Sequence, residues 1–70
     1  MWVEKINFLD IVKHYIAKTK IQKILGEKSL TEDDIQFVNR IIDCGNGRVS
    51  YKVILRDECF TIFDDGTELQ

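Results

Sequence analysis

Seventy residues, 44% hydrophobic and 31% charged, are enough for one domain over 1–70 and exclude a chain disordered by composition. A net charge of −2 selects no partner by itself, and one histidine with two cysteines falls short of the ligands of a structural zinc. The apolar runs are all shorter than the roughly 18 residues of a membrane span, and the opening Met1-Trp2-Val3-Glu4-Lys5 lacks the layout of a secretory signal. The expectation is therefore a cytoplasmic protein with Cys44 and Cys59 as reduced thiols.

The first elements read as helices. At about 100° per residue, Phe8, Leu9, Ile11, Val12, Tyr15 and Ile16 share one face, opposite Asp10, Lys13, His14 and Ala17. Ile21, Ile24 and Leu25 point to another sector. This shift predicts a first helix ending near Lys18–Thr19 and a short second helix closed at Gly26 by a left-handed cap. One long bent helix is the alternative. Ser29-Leu30-Thr31-Glu32-Asp33-Asp34 has the marks of a third helix start. Thr31 is the N-cap, three carboxylates fill the first turn, and Leu30 is set to staple against Ile35. Ile35, Val38, Ile41 and Ile42 then supply a helical stripe up to the Cys44-Gly45-Asn46-Gly47 turn.

From Arg48 the rhythm changes to two. Val49, Tyr51, Val53 and Leu55 alternate with polar or outward residues, and Cys59-Phe60-Thr61-Ile62-Phe63 follows Asp57-Glu58. A hairpin with its tip at Asp57-Glu58 sets Val49, Tyr51, Val53, Leu55, Phe60 and Ile62 on one face; a four-residue loop keeps the same facing. The expected fold class is thus α+β: two or three N-terminal helices followed by a C-terminal antiparallel β-hairpin. That order of elements is winged-helix-like, a likeness of topology that rests on no residue motif.

Catalytic chemistry finds no foothold. His14 falls on the polar helix face, Cys44 has no context that activates a thiol, and Gly45-Asn46-Gly47 leads into a strand instead of a phosphate-binding helix. Asp64-Asp65-Gly66-Thr67-Glu68 is a fragment of a calcium loop without its remaining ligands. No enzyme activity, cofactor or metal is expected.

Charge is unevenly spread, with six lysines against three acids in residues 1–28 and four basic residues against nine acids in 29–70. Glu32, Asp33, Asp34, Asp57 and Glu58 form a prospective carboxylate surface for a partner. Trp2 and Phe8 near the start of the sequence, and Ile54 with Phe63 on the hairpin's outer face, are spare apolar groups for a contact surface. The expected function is a small protein-binding module, a regulator or inhibitor of the kind phages and mobile elements encode, that occupies a surface of a larger protein. A homodimer formed through the hairpin edges with Ile54 and Phe63 is expected as well. Nucleic acid is the alternative partner, met by Lys13, Lys20 and Lys23 on one helical arc, although Glu32, Asp33 and Asp34 would repel it at the third helix.

Overall fold

The chain opens as a strand, not a helix. The computed structural model describes residues 1–69, the side chain of Val12 excepted. Strand β1 (Trp2–Ile6) leads into a 3₁₀ helix (Phe8–Lys13), helix α1 (Tyr15–Glu27) and a short 3₁₀ turn (Glu32–Asp34). Strands β2 (Phe37–Asp43), β3 (Arg48–Ile54) and β4 (Cys59–Phe63) follow. The four strands make one antiparallel sheet in the order β1-β2-β3-β4. The class is α+β, but the expected order of helices before a hairpin is overturned, and with it the winged-helix likeness.

Trp2, Val3 and Ile6 are β-forming residues, and β1 pairs along its whole length with β2, from Trp2 opposite Ile42 to Ile6 opposite Val38. Asn7 then turns the chain: its N–H donates to Asp10 Oδ2 at 3.2 Å and its carbonyl accepts from the Asp10 N–H at 3.0 Å. The helical joint falls at His14 and not near Lys18–Thr19. Before it, the three-residue spacing of a 3₁₀ helix buries Phe8 and Ile11 and leaves Leu9 in water. After it, Ala17, Ile21, Ile24 and Leu25 form the buried stripe of α1, while Tyr15 and Ile16 are exposed. The expected stripe from Phe8 to Ile16 thus splits at the change of helix type, with the Val12 side chain outside the described part.

Gly26 does not take the left-handed cap. That position is Ser29, at φ 59°, where the Leu30 N–H reaches the Leu25 carbonyl at 2.8 Å and the Ser29 N–H reaches Gly26 at 3.1 Å. The third helix lasts one turn. The Thr31 N–H donates to Asp34 Oδ2 at 2.8 Å and the Asp34 N–H to the Thr31 carbonyl at 3.0 Å, so the start signal acts locally. Ile35 is already extended, at ψ 121°. Residues 37–43 are an interior strand because β1 and β3 pair on both sides of them, and their Val and Ile suit that setting. Apolar residues on both faces of that strand imitate a helical stripe.

The hairpin is present, with the expected facing and with the four-residue loop instead of the two-residue tip. Four residues, 55–58, close it through the Leu55 N–H on the Glu58 carbonyl at 2.9 Å, and Val53 opposes Phe60 while Tyr51 opposes Ile62. Strand β3 is central rather than an edge, which removes half of the ground for dimerisation through the hairpin. Val38, Tyr51, Val53, Phe60 and Ile62 face the helices and, with Leu55, Phe8, Ile11 and the α1 stripe, make the core. Two layers, helix on sheet, result.

Candidate functional site

The inner face of the sheet is better covered at one end than at the other. The cross-strand row Ile6, Val38, Val53 and Phe60 lies under the helices. The next row is polar at one side: Glu4, Arg40, Tyr51 and Ile62. Glu4 and Arg40, direct partners across β1 and β2, form an ion pair, and the Arg40 Nε is buried without a hydrogen-bond partner among the described residues. The buried Tyr51 hydroxyl shares a hydrogen bond with Nδ1 of His14 at the helical joint. Burial raises the Tyr51 pKa, against an opposing pull from the Arg40 charge. Sequence reasoning set His14 in water and did not single out Glu4 or Arg40. The one available signal was the parity of Glu4 with Trp2 and Ile6, legible only once residues 2–6 are read as a strand.

Beyond this row the cover thins toward β1, although Val49 still packs against the core. Trp2, Ile42 and Val49 line up across β1, β2 and β3; Trp2 is 58% exposed and its neighbour Val3 51%. Strand β1 ends the sheet, and among the described residues no segment pairs with its outer side. The opposite edge differs. The chain turns back after β4, so that the Phe63 N–H donates to the Thr67 carbonyl at 2.8 Å and the Leu69 N–H to the Thr61 carbonyl at 2.9 Å. Glu68 bridges to Ile62. Asp65 anchors that turn by accepting from the Thr67 N–H at 2.9 Å, and the Thr67 amide and hydroxyl hold its carboxyl below the ordinary range. Among the described residues, one edge is thus lined by residues 67–69 and the other has no paired segment.

Among the described residues no helix lies on the outer face. Val3, Ile41, Ser50 and Phe63 form one row, Lys5, Asn39, Lys52 and Thr61 the next, and Phe37, Ile54 and Cys59 a third. Ile54 and Phe63 are half-buried here, two rows apart, rather than joined in one patch. Cations already lie on the aromatic rings: Lys5 Nζ is 4.5 Å from the Phe37 centroid and the Arg48 guanidinium 3.9 Å from that of Phe63. Arg48 is also paired with Asp65 at 3.1 Å.

The expected carboxylates are partly brought together. Asp34, Asp57 and Glu58 line a shallow pocket of about 310 Å³ with Lys28, Leu30, Leu55 and Arg56. Two cations interrupt that patch, and Lys28 binds Glu58 at 3.1 Å. Glu32 instead accepts from the Gln22 side-chain amide at 2.9 Å, and Asp33 is exposed on the 3₁₀ turn. Lys20 and Lys23 border a second groove of about 350 Å³ with Tyr15, Ile16 and Gly66, whereas Lys13 lies on the preceding 3₁₀ helix. Of the four spare apolar groups, Phe8 is in the core and Trp2 is exposed.

Among the described residues no group of three His, Cys, Asp or Glu side chains is placed to hold a metal ion, and no helix is long and apolar enough to cross a membrane. No protein-family model, curated protein or solved structure matches the chain.

Proposed function

We propose that the chain is a non-enzymatic protein-binding module that occupies a surface of a larger protein through its β1 edge. The observation that carries the reading is the exposure of Trp2 and Val3 on a sheet edge that has no paired neighbour among the described residues. Edge strands present unpaired backbone groups that proteins ordinarily shield, and a tryptophan in water beside one is a contact residue without a contact. The opposite edge, lined by residues 67–69, shows how this chain covers an edge when it uses its own backbone. The carboxylates Asp34, Asp57 and Glu58 lie on the β3–β4 loop side and would act as a charged rim rather than as the centre of contact.

Cross-linking from position 3 tests this reading. A photoreactive group there should capture a protein from the native extract, and Trp2→Lys combined with a reactive group at Leu9 should capture it poorly while the melting temperature holds. Equal capture by both would remove β1 from the interface. Nucleic acid remains the second reading, on Lys20 and Lys23 beside their groove, but Lys13 lies on the 3₁₀ helix and not on the same continuous helix. A salt-dependent oligonucleotide titration addresses it directly.

A further inference from the structure

We infer that the β1 edge accepts an antiparallel strand from a different protein, with a basic residue opposite Glu4 and an acidic residue opposite Lys5. The inference rests on the docking reading above and specifies the chemistry of the partner. A strand added to β1 continues the alternation of the sheet, so each incoming residue shares the face of the β1 residue it opposes. Glu4 lies on the inner face with Trp2 and Ile6; Lys5 lies on the outer face with Val3. The edge therefore offers an apolar, acidic, apolar series inward, where the Glu4 carboxylate also holds Arg40, and an apolar, basic pair outward, where Lys5 lies over Phe37. Read antiparallel from Ile6 to Trp2, the complement is apolar, acidic, basic, apolar, apolar.

A second copy of this chain does not fit that pattern. For two β1 strands to pair about a two-fold axis and keep each helix layer on one face, the full-length register sets Glu4 against Glu4 and Lys5 against Val3. Like charges directly opposite one another destabilise a strand pair. Shifting the register by two residues keeps only three of the five pairs, and in one direction it sets Lys5 against Lys5. The charge order on β1 thus works against self-pairing in the full-length register and in one shifted register, the other shift keeps only three pairs, and the same order favours a foreign strand of opposite pattern.

Trp2 is the only tryptophan, which makes its emission a direct report on this edge. Two capped peptides with Gly-Ser flanks are titrated into the intact chain, one with the core Val-Glu-Lys-Val-Tyr and one with the order of its charges exchanged, Val-Lys-Glu-Val-Tyr. The expected result is a blue shift of Trp2 emission with the first peptide, at an affinity about ten-fold higher than with the second. That advantage should shrink as salt rises. Equal binding of the two peptides, or no shift with either, overturns the inference. So does sedimentation showing a dimer at micromolar concentration in which Trp2 emission is already blue-shifted, since a second copy would then be the occupant. Capture that depends on Trp2 combined with equal peptide binding would leave the docking reading standing and this one refuted.

Discussion

The hydroxyl of Tyr51, buried at the centre of β3, meets the Nδ1 of His14 at the joint between the 3₁₀ helix and α1, the two rings lying edge to face at 75° with centroids 5.4 Å apart. This contact ties the sheet to the point where the helical layer changes its winding. The Tyr51 pKa is raised in the fold, chiefly by burial, above its ordinary value of 10.0. A raised acid keeps its proton in the folded state after the unfolded chain has released it. The associated stability is complete below pH 10 and is lost as pH rises through the folded value. Denaturant melts from pH 8 to 11 should show Tyr51→Phe declining less on the alkaline side than the parent chain. At pH 8 the variant should be weaker by about 1 kcal/mol, the worth of one buried hydrogen bond. Parallel decline of the two proteins would show that Tyr51 does not govern the alkaline limb.

The end of α1 offers two routes to a more stable chain. Ser29 holds a left-handed φ of 59°, a conformation that costs a residue with a Cβ roughly 1 kcal/mol, so Ser29→Gly should stabilise. Gly26 sits inside the helix with open space where a Cβ would stand, and Gly26→Ala should add about 0.5–1 kcal/mol. Each should raise the melting temperature by several degrees in a domain of this size. Gly66→Ala should do the reverse, since its φ is +88° and a Cβ would come within 2.9 Å of Ile16 Cγ2. Calorimetry on the three variants decides; a loss on Ser29→Gly would contradict the cap geometry.

Three ion pairs differ in their surroundings, and their removal should separate them. Lys28–Glu58 and Arg48–Asp65 lie on open surface, and Lys28→Ala should change stability by less than about 0.5 kcal/mol. Arg40–Glu4 is more sheltered, and the Arg40 stem spans the inner face between Glu4 and Tyr51. Arg40→Ala should cost about 1–3 kcal/mol, because it strands Glu4 and strips packing from beside Tyr51. Urea midpoints for Arg40→Ala and Lys28→Ala that coincide would refute the distinction.

Local chemistry was the legible part of this sequence, and pairing was the hidden part. The Thr31–Asp34 start, the Ile21, Ile24 and Leu25 stripe, and the shared face of Tyr51, Val53, Phe60 and Ile62 all appear where their residues imply. The β1–β2 pair does not announce itself, because its partners are separated by a 30-residue connection, 7–36, and pairing at that range leaves no local periodicity. For the same reason Trp2 reads as a loose aromatic near the start of the chain until β2 is recognised as its neighbour. The edge it occupies, and the Glu4–Arg40 pair behind it, follow only from the sheet order.

Val38 and Ile41 provide the sharpest test of residues 37–43. On a helix, three residues apart, both would lie on the same buried stripe, and an aspartate at either position would unfold the chain. On β2 they point to opposite faces: Val38 is fully buried beneath the helices, whereas Ile41 is half-buried on the outer face between Val3 and Ser50. Val38→Asp buries a carboxylate among Ile6, Val53 and the α1 stripe, at a cost of several kcal/mol that a domain this small does not survive. Ile41→Asp sets its charge at a position that water reaches, with Lys5 and Lys52 diagonally opposite on the neighbouring strands. That variant should remain folded and lose about 1–2 kcal/mol. Circular dichroism melts of the two proteins, read for cooperative unfolding, carry the comparison. A Val38→Asp chain that is unfolded at room temperature beside a cooperative Ile41→Asp chain is the expected outcome; equal collapse of both would restore the helix.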